Sequence, residues 1–263
     1  MMALEYFAPV FEDAAPAIFA LGAIFMRISA IAFFAPGIGE RAIPVRVRLT
    51  VAIAFTIVLA PMVYDDARAA EIATLADVVE IYAAEAMVGL LIGFALRILV
   101  FVLQIAGAMI AQHLSLSQLF GPNIGFDSES PFTAILVMAG VTLAVSAGIH
   151  FHLARALGEA YEVFPFGVFP GASDTAEWTT HRVAAALTKS ITLASPFIVL
   201  GFVYTMALAA ANRAMPQLMA AFIGAPAITL AGFALFAVAA PVILNDWLAG
   251  FERVLLDFLA GAL

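Results

Sequence analysis

Residues 78–111 read VVEIYAAEAMVGLLIGFALRILVFVLQIAGAMIA. The charged side chains of this run are Glu80, Glu85 and Arg97. Folded as an α-helix, it would be about 51 Å long at a rise of 1.5 Å per residue. The hydrocarbon core of a bilayer is only about 30 Å thick. The run therefore predicts a membrane helix that is strongly tilted or that continues outside the bilayer.

The rest of the chain has the same apolar character. Hydrophobic residues make up 65% of the 263 residues, charged residues make up 11%, and the mean hydropathy is +1.08. A soluble domain averages about 45–50% apolar and about 25% charged residues, so an integral membrane protein is predicted. Five further runs are close to or above the length of about 20 residues that a spanning helix needs. They cover approximately 14–35, 47–64, 132–151, 184–211 and 217–245.

These six runs predict an all-α membrane protein with about six hydrophobic helices, some of them long, kinked or broken. Pro226 and Pro241 lie in the last run. Proline removes a helix hydrogen bond and clashes with the preceding turn, so kinks or breaks are expected at both positions. Residues 246–263 are predicted to form a short amphipathic tail.

Several function classes find no support in the composition. The chain has no cysteine, so it can form neither a disulfide nor a cysteine-based zinc site. His150 and His152 are two residues apart, which does not suit a pair of metal ligands on one helix face. No phosphate-binding, dinucleotide-binding or nucleophile-elbow motif occurs. The net charge of −8 and the absence of a basic stripe argue against nucleic acid. We expect a protein that is not an enzyme and needs no cofactor.

Gly89, Gly93 and Arg97 recur every four residues and so share one face of the predicted helix. Small residues at this spacing permit close helix packing, and an arginine at membrane depth should face protein or a wet cavity. Glu85 extends the same face by one turn, and Arg27 in the first run raises the same question. The alternative is that the glycines are incidental and that the arginines reach the membrane interface.

The segment 112–131 interrupts the helical pattern. It contains the turn formers Gly121, Pro122 and Gly125, but it stays apolar through residues such as Phe120 and Phe126. Irregular backbone at membrane depth is tolerated where it is buried in protein or lines a cavity. The segment is predicted to be a plug-like loop, and the alternative is a short interfacial loop. The plug or pore residues are Leu119, Phe120, Gly121, Pro122, Gly125 and Phe126.

Three separated segments together resemble one family of proteins. The first is RISAIAFFAPGIGERAIPVRVRLTVAIAFTIVLAP at 27–61, with Arg27, Pro36, Pro44, Arg46, Arg48 and Pro61. The second lies in 85–117, with Glu85, Gly89, Gly93 and Gly107. The third is NRAMPQLMAAFIGAP at 212–226, with Asn212, Arg213, Pro216, Gln217, Gly224 and Pro226. In this order the segments resemble the FliR family of flagellar export proteins and its virulence counterpart, the SctT type. The family's usual Met-Asn-Val after Pro-Gln and its Pro-Leu-Lys are missing here.

The resemblance implies a pore-forming subunit of a type III export gate, at the flagellar basal body in the bacterial inner membrane. It implies FliP-like and FliQ-like partner subunits, FlhA-like and FlhB-like components, and unfolded exported proteins as substrates. Residues 1–183 would be a FliP-like part and 184–263 a FliQ-like hairpin with the C-terminal tail. The third segment would form the hairpin tip. Together with the four-residue spacing on the third run, this predicts a subunit interface that comprises Arg27, Pro44, Arg46, Arg48, Glu85, Gly89, Gly93 and Arg97.

Two alternatives remain at this point. One is the corresponding subunit of a virulence injectisome. The other is a small solute transporter with a midplane site lined by Arg27, Arg97 and the broken sixth run. A transporter would be expected to contain internal repeats, and none is convincing here.

Overall fold

The structure is a computed structural model that describes residues 2–40, 43–70, 73–114, 130–214 and 220–259. All the regular elements within these ranges are α-helices, which confirms the all-α prediction. They are α1 (Met2–Phe34), α2 (Val45–Ala69), α3 (Leu75–His113), α4 (Pro131–Ser146), α5 (Ile149–Val163), α6 (Ala172–Ala214) and α7 (Ala220–Leu259).

Five of the six predicted membrane runs correspond to helices that are long and apolar enough to span a bilayer. These candidate spans are Pro16–Phe34, Val45–Asp65, Leu75–His113, Ala172–Ala214 and Gly224–Phe251. Helices α3, α6 and α7 contain 39, 43 and 40 residues. At 1.5 Å per residue they are about 58–65 Å long, roughly twice the hydrocarbon thickness. The protein is therefore a multi-pass membrane protein whose long helices extend beyond one bilayer core.

The predicted run at 132–151 is wrong as a single helix. The chain breaks between α4 and α5, and the two helices differ in direction by 72°. Gly148 lies at the break with φ +79°, a left-handed conformation that glycine adopts without a steric cost. Helix α5 continues to Val163 and α6 begins at Ala172, so most of the chain between the predicted runs at 132–151 and 184–211 is helical.

Neither proline breaks α7, which is helical from Ala220 to Leu259 and includes Pro226 and Pro241. Neighbouring groups can satisfy the backbone carbonyls that a proline leaves free inside a membrane protein. Helix α7 also continues through the described part of the predicted amphipathic tail, as far as Leu259. Trp247 and Phe251 are buried, and their packing favours continuation of the helix.

The residues group into two compact units. The first comprises Met1–Arg97, Ala147–Thr180 and Glu252–Leu263, and the second comprises Ile98–Ser146 and His181–Phe251. The division into a FliP-like part at 1–183 and a FliQ-like part at 184–263 stays a prediction.

In the second unit, α6 and α7 pack as an antiparallel hairpin. Lys189 Nζ lies 2.5 Å from Asp246 Oδ2 at one end of the pair. Further along, the rings of Phe197 and Phe236 have centroids 6.3 Å apart. Near the turn, a Cβ on Gly224 would lie 2.6 Å from the Tyr204 hydroxyl. From one contact to the next, the residue number rises on α6 and falls on α7. The two helices are therefore antiparallel.

The second unit also contains part of α3 and α4. The Trp247 indole Nε1 donates to the Leu99 carbonyl at 2.7 Å, which ties α7 to α3. Phe132 of α4 is fully buried against Phe233 and Phe236, with centroid distances of 5.0 and 4.8 Å. These aromatic contacts form the core of this unit.

Candidate functional site: a buried ion pair on the α3 face

A buried ion pair joins α1 and α3 in the first unit. Arg27 Nε lies 2.7 Å from Glu85 Oε2, and Arg27 Nη2 donates to Glu85 Oε1 at 2.7 Å. The two side chains are 1% and 0% exposed. A charge-assisted hydrogen bond of this kind is about twice as strong as one between neutral groups. Because a lone buried charge is expensive, each residue depends on the other for its place in the fold.

The pair also holds the segment between α5 and α6. Both terminal nitrogens of Arg27 donate to the Phe164 carbonyl at 3.2 Å. The backbone N–H of Gly167 donates to Glu85 Oε1 at 3.0 Å. The Tyr161 hydroxyl donates to Glu85 Oε2 at 3.3 Å, and its ring centroid lies 3.7 Å from the Arg27 guanidinium carbon. The buried charges thus supply hydrogen-bond partners to backbone that forms no helix.

The two glycines of the α3 motif lie against α1. A Cβ on Gly89 would overlap the Arg27 carbonyl oxygen, and one on Gly93 would lie 3.0 Å from the Phe34 Cβ and 3.2 Å from the Ala30 carbonyl oxygen. Glycine therefore lets the two backbones approach closely. Glu85, Gly89 and Gly93 thus all contact α1 of the same chain, and their role at a subunit interface stays a prediction.

Arg97 lies at the C-terminal end of this α3 face. It belongs to a second group of charged residues, whose side chains are more exposed than the Arg27–Glu85 pair. Arg97 Nη1 lies 2.9 Å from Glu40 Oε1, with side chains 18% and 25% exposed. Arg48 Nη2 donates to the Glu40 carbonyl at 2.5 Å. The Arg48 guanidinium carbon also lies 5.9 Å from the centroid of the Phe33 ring. The cluster connects the loop after α1 to α2 and α3, as expected of an arginine that faces protein.

The model of a family described as bacterial export proteins, family 1, matches residues 18–254 of the chain. The chain belongs to this family. The match includes α2 to α6 entirely and nearly all of α7, so it covers both compact units.

Three curated proteins that the chain is similar to share the name flagellar biosynthetic protein FliR. The chain is 29% identical to a flagellar biosynthetic protein FliR of Caulobacter vibrioides over 253 residues, covering 96% of this chain and 98% of that one. It is 26% identical to a FliR of Escherichia coli over 220 residues, covering 83% of each chain. It is 25% identical to a FliR of Aquifex aeolicus over 221 residues, 83% of this chain and 84% of that one. The resemblance inferred from the three segments is confirmed.

Other predicted site residues of this export-family chain lie on or next to α2, α6 and α7. Pro44 directly precedes α2 and is exposed, as is Arg46 in the first turn of that helix. Asn212 and Arg213 are exposed in the last turn of α6, and Pro226 is exposed on α7. Roles for these residues at a subunit interface or hairpin tip stay predictions. Pro216 and Gln217 lie outside the described residues.

The plug residues at 119–126 also lie outside the described residues, but both flanks are described. Leu114 at the end of α3 is fully buried, and its carbonyl accepts a hydrogen bond from Thr229 at 3.3 Å. Ser130 donates to the Gly107 carbonyl at 3.3 Å, and Thr133 lies against Gly107. The chain therefore leaves α3 and returns alongside the same helix.

Sequence reasoning missed Tyr161, Phe164 and Gly167. Phe164 contributes through its backbone carbonyl and Gly167 through its backbone N–H, so their side chains carry no polar signal. The FPFGVFPG run at 164–171 has the glycines and prolines of a turn, and this alone could have drawn attention to it. Within the described ranges, no cluster of three or more histidine, aspartate or glutamate residues could hold a metal.

Proposed function

We propose that the chain is a membrane subunit of the flagellar type III export gate in the bacterial inner membrane. The observation that carries the proposal is the match over nearly the full length of both chains to a flagellar biosynthetic protein FliR. The candidate spans agree with a component that stays in the membrane. The three relatives named above are flagellar, so a flagellar apparatus is favoured over a virulence injectisome.

The finer role is that of a pore subunit that works with FliP-like and FliQ-like neighbours, and with FlhA-like and FlhB-like components, to move unfolded proteins. Helices α3, α6 and α7 are about twice as long as the bilayer core is thick. Their length suits packing in a tall assembly rather than a simple bundle of spans. The described polar groups suit this non-catalytic role as well, because Arg27 and Glu85 are buried and hold backbone.

Deletion of the gene and complementation with the intact chain test this proposal. We expect the deleted strain to lose swimming in soft agar and to stop releasing hook and filament proteins into the medium, while the intact chain restores both. Purification in mild detergent should recover FliP-like and FliQ-like subunits with the chain. A strain that keeps normal flagella would contradict the proposal, and loss of uptake of one solute with normal motility would support a transporter instead.

A further inference from the structure

The first compact unit contains a cavity of about 300 Å³ beside the buried ion pair. It lies where the segment after α5 meets the first turns of α6. The lining residues that matter most are Leu91, Phe164, Phe169, Asp174, Thr175 and Trp178. Its size is at the lower end of the roughly 300–1,000 Å³ found for ligand pockets, so it suits one long side chain rather than a helix.

The buried ion pair holds one wall of the cavity in place through hydrogen bonds to its backbone. Phe164 lines the cavity, and its carbonyl accepts both hydrogen bonds from Arg27. Gly167, three residues on, donates to Glu85. Because buried charges position this wall, the cavity is formed before any partner arrives, which reduces the ordering cost of binding.

The lining combines aromatic rings with one carboxylate. Phe164, Phe169 and Trp178 contribute rings, and Phe169 is 46% exposed at the rim. Asp174 is exposed and forms no hydrogen bond or ion pair with another residue of the described ranges. Aromatic faces and a carboxylate attract the same ligand, a cation with an apolar stem. Lysine and arginine side chains have this chemistry, as do amine headgroups of lipids.

The position of the cavity favours a protein over a lipid. Residues 172–182 include Asp174, Glu177, His181 and Arg182, so the apolar part of α6 begins at Val183. Thr175 lies about 12 Å along the helix from Val183 at 1.5 Å per residue. The headgroup layer adds only about 5–8 Å to each side of the hydrocarbon core. With the edge of the hydrocarbon core at Val183, a lipid amine would fall short of the cavity, whereas another subunit could reach it.

We infer that this cavity receives a lysine or arginine side chain from another component of the export apparatus, with its charge at Asp174 and its stem among the aromatic rings. This inference depends on the proposed function, which supplies the multi-subunit setting. It assigns to the start of α6 a docking site for a basic segment of a partner.

Charge variants and crosslinking in the native bacterium test the inference. Asp174→Lys should reduce the chain recovered in the detergent-solubilised complex roughly tenfold or more, since like charges meeting at an interface are strongly unfavourable. Asp174→Asn should show a smaller loss. Glu162→Lys is the matched control, because Glu162 is exposed in the same unit and does not line the cavity. This control should leave recovery within about twofold, as expected for a surface change.

A photo-crosslinking residue at Thr175 identifies the occupant. We expect crosslinks to a lysine- or arginine-containing peptide of another subunit, and a glutamate at that basic position should restore the complex of Asp174→Lys. Crosslinks to lipid alone, or equal recovery for Asp174→Lys and Glu162→Lys, would overturn the inference. If the inference failed in this way, the proposed function would still stand. Normal motility of the strain without the gene would instead contradict the proposed function, and the inference with it.

Discussion

Arg27 of α1 and Glu85 of α3 are 58 positions apart in sequence, yet their charged groups lie 2.7 Å apart and are almost fully buried. Each also contacts the segment that follows α5, Arg27 at the Phe164 carbonyl and Glu85 at the Gly167 N–H. One ion pair therefore determines how three parts of the first unit meet. Because a buried charge without its partner is costly, the packing of that unit depends on both residues being present.

Removal of one charge should be far more damaging than removal of both. Glu85→Gln leaves the Arg27 guanidinium buried without a counter-charge, which costs about 3–5 kcal/mol. The double variant Arg27→Met with Glu85→Leu removes both charges, so we expect it to be more stable than Glu85→Gln. Thermal unfolding of the detergent-purified proteins, followed by intrinsic fluorescence, measures the difference.

Glu40→Gln is the control for this prediction. Its carboxylate pairs with Arg97, but both side chains are partly exposed. Partly exposed pairs of this kind contribute about 0–1 kcal/mol. Equal melting temperatures for Glu85→Gln and Glu40→Gln would show that the buried pair contributes no more to stability than the partly exposed one.

The four-residue spacing on α3 predicted a shared face, but it could not predict the partner of each charge. Glu85 could have met Arg27, Arg97 or an arginine of another subunit, because each choice satisfies the same rule about charges in membranes. The Phe164 carbonyl and the Gly167 N–H were beyond prediction for a different reason. Every residue has such backbone groups, and only the three-dimensional path of the chain brings these two to the ion pair.

The glycines on the α3 face should differ in their tolerance of a methyl group. Gly89→Ala places a Cβ against the Arg27 carbonyl oxygen, a backbone atom that moves only with α1. Gly93→Ala meets the Phe34 Cβ at 3.0 Å, so a smaller shift suffices. We expect Gly89→Ala to lower the melting temperature more than Gly93→Ala. The larger Gly93→Leu should separate α1 from α3 and prevent recovery of the export complex.

Gly250→Ala provides the matched control on α7. A Cβ at Gly250 meets nothing within 4 Å. Alanine in a helix is favoured over glycine by about 0.5–1 kcal/mol, so this variant should melt at the same or a higher temperature. A loss of stability as large as that of Gly89→Ala would indicate that close packing is not the reason for the glycines.

The break at Gly148 shows why an apolar pattern predicts helices better than it predicts their ends. Residues on both sides of the break are apolar, so hydropathy continues across it. Gly140 and Gly148 look alike in sequence, but a Cβ on Gly140 would press into Leu103, whereas Gly148 adopts φ +79°. Only the backbone conformation separates a packing glycine from one that turns the chain.

The Lys189–Asp246 pair should couple α6 to α7. Lys189 is the only lysine of the chain, and the two side chains are 34% and 44% exposed. In a double-mutant cycle with Lys189→Met and Asp246→Leu, contacting residues typically show a coupling of about 0.5–3 kcal/mol. Partial exposure places the expected value at the lower end. The melting temperatures of the four proteins in detergent give the coupling.

The exposed pair Arg155–Glu159 on α5 is the comparison for that cycle. Exposed pairs four residues apart on one helix contribute little to stability. The coupling of the interhelical pair should be larger than that of Arg155–Glu159, because Lys189 and Asp246 join two helices. Strict additivity of Lys189→Met and Asp246→Leu would mean that the contact does not hold the two helices together.

The last prediction concerns the plug proposed at 112–131. Its flanks are anchored, since Leu114 is buried and Ser130 donates to the Gly107 carbonyl, so a change between them should leave the flanking helices in place. Large apolar side chains can close a pore by excluding water. Changing Phe120 and Phe126 to serine, or deleting 119–125, should therefore let small ions or solutes leak across the membrane while the complex still assembles.

Phe151→Ser is the control for this prediction. Phe151 is 73% exposed on α5, so this change should leave permeability unchanged. Conductance and solute sensitivity of cells expressing each variant, with complex recovery measured in parallel, decide the matter. If the double-serine variant assembles and its cells are no more permeable than the Phe151→Ser cells, a hydrophobic plug at these residues is ruled out. The constriction would then have to lie elsewhere.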